Sequence, residues 1–218
     1  MKQSHDSLPI EWLDTVDSTN SEVRRRLDAL DNMSVIASRF QTAGRGQGDH
    51  TWVSPDGENL TFSILFRFGK APLASLAVAD ALRITQIATL SVHELLSSKG
   101  VESRIKWPND IWVADRKICG MLIENILDGP YVACSIVGIG LNLNQQEFDP
   151  SLPNPVSLSM ITGRKYSPDL ILREFYNIIS RRACLLGSPD GIYELESEFN
   201  DLVFRLEDGQ RQLPGRQL

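Results

Sequence analysis

The sequence predicts an α+β fold in which a mixed, mainly antiparallel sheet is flanked by helices. The middle of the chain is a series of apolar runs separated by short polar turns, and strands connected this way pair antiparallel. Two long helical segments accompany the strands, Leu73–Ser98 and a segment from Ser167 to about Leu186. We expect the helices to lie on one side of the sheet, with their apolar residues against it.

The chain begins with a predicted strand, Ile10–Val16, followed by a predicted helix. Thr19 starts a capping-box pattern with the glutamate three residues later, so the helix should begin there and run to about Leu30. Ser18, Thr19 and Asn20 are therefore explained as helix-capping residues. The alternative that these three small polar side chains bind a neutral polar ligand stays open.

A glycine-rich loop, Gln41–Trp52, lies between two predicted strands, Val35–Phe40 and Leu60–Phe68. Its glycines allow a backbone to approach a ligand closely, and Arg45 carries a planar donor fork suited to carboxylate or phosphate. The spacing is G-x-G-x-G followed by a strand, whereas the dinucleotide fingerprint and the P-loop both open a helix. The segment is thus either a plain connection or an anion-binding loop of another fold.

Pro72 introduces the long segment Leu73–Ser98, which is apolar on most faces and predicts a core helix. Charged and polar residues interrupt it, so we do not expect a membrane span. His93 within it is expected at the surface or at a cap. The predicted meander then runs from Ser103 to Leu143 in four strands.

Two glycines, Gly138 and Gly140, interrupt the last strand of the meander, which predicts a bulge or a close approach of a ligand. The remaining helices begin at Ser167 and Ser188, each followed by a proline. A hairpin is predicted to start at Leu202–Leu206 and return through Gln210–Leu213.

Composition restricts the classes of partner and compartment. The 218 residues are 42% hydrophobic and 23% charged, which is ordinary for a globular enzyme, and the net charge of -6 argues against nucleic acid as a general partner. Cys119, Cys134 and Cys184 are widely spaced in apolar runs, which favours a reduced, cytoplasmic protein over a disulfide scaffold or a zinc site. The polar N-terminus has no apolar signal core, so we expect no export signal.

Five motifs occur in a fixed order along the chain. They are Asp17-Ser18-Thr19-Asn20, the Gly44-Arg45-Gly46 loop, Lys106-Trp107-Pro108-Asn109-Asp110, Lys117–Glu124, and Gly138–Asn144. Together they resemble the biotin protein ligases, and the resemblance extends from about Ile10 to Phe199.

The resemblance implies a fold shared with lipoate ligases and with one class of aminoacyl-tRNA synthetase catalytic domains. It implies a reaction in two steps. Biotin and ATP with Mg²⁺ first give biotinyl-AMP and pyrophosphate, and a lysine of a biotin carboxyl carrier protein then displaces AMP. Neither a membrane nor DNA is an expected partner, and a homodimer stays open beside a monomer.

The resemblance also implies roles for individual residues. The implied catalytic residues are Lys117, Arg45 and Asp110. The residues implied to contact biotin are Ser18, Thr19, Asn20, Gln41, Gly44, Arg45, Gly46, Gln47, Lys117 and Gly120. Those implied to contact ATP are Arg45, Trp52, Lys106, Asn109, Lys117 and Asn142. Asn109 and Asp110 are the candidates for holding Mg²⁺.

Two departures from the family pattern stand out. Many relatives carry arginine where this chain has Gln47, so one phosphate-facing charge is missing. Relatives also end in a small β domain, so residues 1–199 are predicted as the catalytic domain and 200–218 as a remnant or the start of that domain. An N-terminal DNA-binding domain, found in the repressor members, is not expected.

Two rival functions remain open at this point. A lipoate-protein ligase shares the fold and the adenylate chemistry. A non-catalytic biotin-binding module is favoured by Gln47 and by the short C-terminal segment, and it would bind biotin without forming AMP.

Overall fold

A computed structural model of the protein describes residues 8–48 and 50–205. The described residues form one nine-stranded sheet and five helices. The strands are β1 (Ile10–Val16), β2 (Val35–Gln41), β3 (Leu60–Arg67), β4 (Leu76–Ala77), β5 (Arg104–Lys106), β6 (Asp110–Val113), β7 (Arg116–Asp128), β8 (Tyr131–Leu141) and β9 (Val203–Phe204). The helices are α1 (Thr19–Arg25), α2 (Leu82–Ser97), α3 (Leu158–Thr162), α4 (Pro168–Cys184) and α5 (Pro189–Leu202).

The strand order is β1-β2-β3-β8-β7-β6-β5-β9, with β4 paired to the outer part of β8. The pairs β1–β2 and β5–β9 are parallel, and the other pairs are antiparallel. The prediction of a mixed, mainly antiparallel sheet is therefore confirmed. The register of β8 is unbroken at Gly138 and Gly140, so these glycines do not form a bulge.

The sheet buries both faces because side chains alternate along its strands. From β3, Phe62 and its alternate neighbours join α2, α4 and α5 in the main core, where Phe62 packs edge-on against Phe175 of α4 at 5.1 Å. Leu65 points to the opposite face and packs with Val23 of α1. The expectation of helices on one side is thus wrong for α1. This short helix covers only part of the second face and leaves the rest for a cavity.

The helix predicted over Leu73–Ser98 begins nine residues later, at Leu82. Leu76 instead pairs with Val132 of β8, and residues 78–80 form a short 3₁₀ turn. The apolar residues after Pro72 are therefore buried by strand pairing. Such an apolar segment is equally compatible with a buried strand and with a buried helix, so the sequence pattern could not separate the two.

Other details near the predicted helices also differ. The first helix ends at Arg25 and continues as a 3₁₀ turn, residues 27–29. His93 is half-buried, and its Nδ1 lies 2.9 Å from Ser103 Oγ. It therefore connects α2 to the segment before β5 and is not a surface or capping residue.

The predicted C-terminal hairpin falls partly beyond the described part of the chain. Val203–Phe204 forms β9, which adds to β5 in parallel. Residues 206–218, including Gln210–Leu213, lie outside the described residues. None of the helices within 8–48 and 50–205 is long and apolar enough to cross a membrane.

Candidate functional site

A cavity of about 670 Å³ opens on the face of the sheet that carries α1. Its volume is in the range of small-molecule binding sites, roughly 300–1,000 Å³. The predicted site residues that line it are Ser18, Thr19, Asn20, Gln41, Arg45, Gly46, Gln47, Trp52, Lys106, Asn109, Asp110, Lys117, Gly120 and Asn142. Gly44 is buried within the glycine-rich loop and does not line the cavity. Motifs about 100 residues apart in sequence thus meet around one space.

One end of the cavity is polar and uncharged. Ser18 is the N-cap residue of α1, but its side chain forms no capping hydrogen bond, so the capping interpretation of Ser18 and Thr19 is wrong. Gln41 Oε1 accepts from Thr19 N at 2.8 Å and from Thr19 Oγ1 at 3.3 Å. These bonds fix the amide of Gln41 and leave its Nε2 donors without a partner among the described residues. The arrangement can hold a neutral ligand that carries a carbonyl and N–H groups.

Asn20 is fixed in the wall beside this polar end. Its Oδ1 accepts from Ser63 Oγ at 2.5 Å, and its Nδ2 donates to Glu124 Oε2 at 2.8 Å and to the Leu122 carbonyl at 3.2 Å. A Cβ atom on Gly138 would lie 2.2 Å from Asn20 Oδ1. Gly138 therefore approaches a side chain of the protein itself, and only a glycine leaves room for it.

Asp17, the first residue of the same motif, faces away from the cavity. Its carboxylate accepts from Arg25 Nη1 and Nη2 at 2.8 and 2.7 Å. This pairing, with the backbone N–H of Ser18, holds the pKa of Asp17 well below its usual range. Asp17 thus orients α1 and takes no part in lining the site.

The glycine-rich loop folds back on itself at the cavity mouth. Trp52 N donates to the Gly44 carbonyl at 2.9 Å, and Gly46 N donates to the His50 carbonyl at 2.7 Å. A Cβ on Gly44 would lie 2.1 Å from the Trp52 carbonyl oxygen, so this close approach requires glycine. The turn presents Arg45 to one side, where its Nη2 lies 3.1 Å from Glu124 Oε1.

Trp52 covers the glycines on the floor of the cavity. A Cβ on Gly140 would lie 2.3 Å from the indole Cε2, and one on Gly120 would lie 3.1 Å from Cζ3. The indole Nε1 is buried and has no hydrogen-bond partner among the described residues. Gly120, predicted to admit a ligand chain, here admits Trp52 and Lys117, whose Nζ would be 3.0 Å from the added Cβ.

Lys117 lies at the start of β7 and points into the cavity. Its backbone is held by the neighbouring segment, since Lys117 N donates to the Asn154 carbonyl at 2.8 Å and Val156 N donates to the Lys117 carbonyl at 3.0 Å. The ammonium Nζ lies 2.8 Å from Asp110 Oδ1, and both side chains are largely buried, at 34% and 22% exposure. A cation and a carboxylate are thus placed side by side at the cavity wall.

The remaining predicted residues, Lys106, Asn109 and Asn142, line the end of the cavity away from Gln41. Lys106 Nζ lies 4.8 Å from the ring centre of Trp112. Asn109 Nδ2 donates to the Met121 carbonyl at 2.6 Å, which ties the turn before β6 to β7. Asn142 Nδ2 donates to the Val156 carbonyl at 3.1 Å. The amides of these two asparagines therefore position backbone segments around the cavity.

The charges at the cavity are paired in a defined way. Arg45 is paired with Glu124, and Lys117 with Asp110, while Lys106 lies over an indole. Cys119 is fully buried beside the site, and burial raises the pKa of its thiol, so it is not a thiolate nucleophile. Within the described ranges, no group of three or more His, Cys, Asp or Glu side chains could hold a metal ion.

Three contributors have no role in the sequence prediction, although Glu124 ends one of its motifs. Ser63 of β3 and Glu124 of β7 bind the predicted residues, and the segment 148–155 closes one side. A signal was present for the first two. Ser63 is polar within the apolar run of β3, and Glu124 is a single carboxylate at the end of the apolar run Ile118–Ile123. The segment 148–155 carries no comparable pattern.

Comparison with known families places the geometry in context. The profile of the Biotin/lipoate A/B protein ligase family matches residues 12–142. The chain is 32% identical to the biotin--[acetyl-CoA-carboxylase] ligase of Paracoccus denitrificans, covering 93% of this chain and 96% of that protein. It is 31% identical to the bifunctional ligase/repressor BirA of Escherichia coli over 65% of this chain. This chain spans 43% of that second relative, which is less than half its length.

Solved structures agree at the level of the fold. The biotin protein ligase from Aquifex aeolicus in complex with biotin and ATP superposes with a TM-score of 0.72 at 25% identity, covering 89% of this chain and 78% of that one. The biotin protein ligase from Leishmania major in complex with biotin gives a TM-score of 0.73 at 24% identity, covering 97% and 87%. The predicted relation of the fold to biotin ligases is thereby confirmed.

Proposed function

The chain belongs to the biotin/lipoate A/B protein ligase family, and we propose that it is a biotin protein ligase that forms biotinyl-AMP and transfers biotin to a carrier lysine. The observation that carries the proposal is the presence of neutral polar groups and cations in one cavity. Ser18, Thr19 and Gln41 form a neutral hydrogen-bonding end, and two cations line the same cavity at separate places, Arg45 beside Glu124 and Lys117 beside Asp110. Biotin has the matching halves, a neutral ureido ring and a carboxylate. The relative in Paracoccus denitrificans, which is similar over nearly its whole length, supports the same substrate.

The first step joins two anions. The biotin carboxylate attacks the α-phosphate of ATP, forming a carboxyl–phosphate bond and releasing pyrophosphate. At roughly 4 Å the repulsion of two unit charges is about 1 kcal/mol in water and about 4 kcal/mol at an effective dielectric near 20. In a closed site this repulsion must be offset by fixed cations, and Arg45 and Lys117, which line the cavity, would supply them. Lys106 at the far end would neutralise the outer phosphates.

The neutral end would select the ring. Gln41 Nε2 donates to the ureido carbonyl, and the hydroxyl oxygens of Ser18 and Thr19 accept from its N–H groups. Because Thr19 N and Oγ1 already fix the Gln41 amide, these donors are oriented before the ligand arrives. Asn20, held by three hydrogen bonds, completes the wall. A lipoyl group has no ureido ring and would leave these polar groups unpaired.

The second step transfers the acyl group. The carrier lysine amine attacks the activated carbonyl, a C–N bond forms, and the bond to AMP breaks. Asp110 would orient that amine or accept its proton, and its carboxylate lies 2.8 Å from Lys117 Nζ at the cavity wall. Asn109 and Asn142 would shape the nucleotide end through the backbone segments that they hold.

Magnesium enters as part of the nucleotide substrate. Mg²⁺ is usually held by one or two carboxylates together with substrate phosphates and waters. Asp110 is a carboxylate that lines the cavity, and Asn109 precedes it, so the donor set fits an ion delivered with ATP. The ion would offset phosphate charge in the first step. Because Asp110 is 2.8 Å from Lys117, the carboxylate is already oriented into the cavity.

The glycine-rich loop would exclude water from the intermediate. An acyl-phosphate mixed anhydride is prone to hydrolysis, and closure of a loop protects it. Gln47, which lines the mouth, supplies no charge where many relatives have arginine. A charge-assisted hydrogen bond contributes about 1.5–3 kcal/mol, so this chain should hold biotinyl-AMP less tightly than those relatives.

The proposed reaction defines the protein partner, and the cysteines indicate the compartment. The acceptor is a biotin carboxyl carrier domain, which must place its lysine at the cavity mouth. Cys119 and Cys134 are buried and unpaired, which supports a reducing, cytoplasmic environment.

The decisive experiment is mass spectrometry of a carrier domain incubated with this protein, biotin and MgATP. We expect a mass increase of one biotinyl group on one lysine, none with lipoate in place of biotin, and none without ATP. Biotin binding without AMP formation would identify a binding module. Modification by lipoate would identify a lipoate ligase. The Lys117→Ala variant is the control, because a ligase should lose adenylation far more than it loses biotin affinity.

A further inference from the structure

Glu124 connects two parts of the site that are remote in sequence. It lies on the long strand β7 and pairs in register with Ile136 of β8. Its Oε2 accepts from Asn20 Nδ2 at 2.8 Å, and its Oε1 lies 3.1 Å from Arg45 Nη2. The side chain is only 17% exposed. One carboxylate on a rigid strand therefore binds both the polar wall and the glycine-rich loop.

We propose that Glu124 is a positioning residue, which orients Arg45 toward an anionic group of the ligand in the cavity while it fixes Asn20. The inference rests on the proposed function, since the step it serves is the adenylation of biotin. Arg45 lies on a loop rather than on a strand, so its backbone alone does not fix the direction of a long side chain. Within residues 8–48 and 50–205, Glu124 is the carboxylate that lies within 4 Å of Arg45.

The geometry leaves Arg45 available to a ligand. Glu124 engages Nη1 and Nη2, at 3.5 and 3.1 Å, and a guanidinium carries five N–H donors in a fixed fork. The remaining donors belong to a side chain that lines the cavity. Orienting a donor before the ligand binds lowers the cost of ordering it at the moment of reaction.

The charge of the cluster also favours an anion. Arg24 Nη2 lies 3.4 Å from Glu124 Oε1, so two guanidinium groups share one carboxylate. The cluster carries a net charge of one positive unit, and Glu124 therefore orients Arg45 without cancelling the positive charge. Arg24 is about half exposed, as is Arg45, so water screens both and the orientation matters more than the pair energy.

Glu124→Gln separates the two functions of the carboxylate. The glutamine Oε1 can still accept from Asn20 Nδ2, whereas its neutral amide no longer attracts Arg45. Glu124→Leu removes both contacts. Glu11→Gln is the matched control. It removes the same charge, but from a carboxylate that forms an ion pair with Arg26 on the outer surface.

The test is a double-mutant cycle in biotin-dependent ATP–pyrophosphate exchange, which reports the first step alone. When two residues in direct contact are coupled, the effects of their substitutions on the activation free energy are not additive. We expect Glu124→Gln to lower kcat about tenfold and to leave the KM for biotin within about threefold of the unmodified protein's value. In an Arg45→Gln background, the same substitution should change kcat by less than about twofold. Glu124→Leu should in addition raise the KM for biotin, because it releases Asn20.

Each outcome has a distinct meaning. The same fold-change of Glu124→Gln in both backgrounds would overturn the inference, as would an increase in KM alone. Absence of exchange in the unmodified protein would instead overturn the proposed function. A readout independent of catalysis is trypsin cleavage after Arg45 in the ligand-free protein. Glu124→Gln should accelerate that cleavage several-fold over Glu11→Gln, and equal cleavage rates would overturn the inference even in a protein that is not a ligase.

Discussion

Replacing Lys117 by methionine should abolish most of the adenylation activity, because it removes a cation and exposes a neighbouring anion. Methionine keeps the apolar length of the side chain but removes the ammonium that lies 2.8 Å from Asp110. The carboxylate of Asp110 is 22% exposed and would then face the incoming biotin carboxylate and phosphates alone. The Lys117→Met variant should therefore have lower adenylation activity than a site in which both side chains are neutral.

The size of the effect follows from two contributions. The lost charge-assisted hydrogen bond to the substrate is worth about 1.5–3 kcal/mol. Repulsion between Asp110 and a substrate anion at roughly 4 Å adds up to about 4 kcal/mol at an effective dielectric near 20, and less where water enters. A combined loss of about 3–6 kcal/mol corresponds to a decrease in kcat/KM of about 10² to 10⁴.

Biotin-dependent pyrophosphate exchange measures this loss, and Lys165→Met serves as the control because Lys165 is exposed and does not line the cavity. Asp110→Asn in the Lys117→Met background should recover at least about tenfold, since it removes the repulsion and leaves only the missing bond. A loss below tenfold in Lys117→Met, or no recovery in the double variant, would refute the reasoning.

Three further variants test other parts of the structure. Gly138→Ala should raise the KM for biotin at least about tenfold, since its Cβ would displace Asn20. Gly187→Ala should leave the KM unchanged, because an added Cβ there meets no atom within 4 Å. Equal KM values in the two variants would contradict the contact between Gly138 and Asn20. Gln47→Arg should slow release of biotinyl-AMP by about tenfold or more, and an unchanged off-rate would show that this position does not face the phosphate. Burial lowers the pKa of His93, so stability should be full above its unfolded pKa of about 6.5 and fall as pH drops below it. His93→Gln should flatten this dependence of Tm on pH, and an unaltered slope would exclude His93 as its cause.

Much of the fold could be predicted because its strands are short, apolar and separated by clear turns. The boundaries of β2 and β3 agree with the predicted strands Val35–Phe40 and Leu60–Phe68 to within one residue. The failures have a common physical cause. Local propensity alone assigns the segment after Pro72 to a helix and Ser18 and Thr19 to capping. In the structure, pairing with β8 and bonding to Gln41 decide both.

The site could be predicted as a set of residues but not as a set of contacts. The motif order identifies which side chains gather, whereas the pairing of Arg45 with Glu124 joins positions 79 residues apart. No spacing rule relates such positions, since the relation is set by strand order in the sheet. Ser63 was missed for the same reason, because its partners lie on α1.

The glycines of the two central strands determine which side chains can reach the cavity floor. An antiparallel sheet normally fills its face with side chains, and a cavity forms only where some are absent. Gly138 makes room for Asn20 of α1, and Gly140 and Gly120 make room for Trp52 of the glycine-rich loop. A methyl group at any one of them would displace a particular partner: the polar wall at Gly138, or the loop that covers the site at Gly140. Asn20 needs a glycine at 138 and Trp52 needs one at 140, so this steric requirement ties both the polar wall and the covering loop to β8.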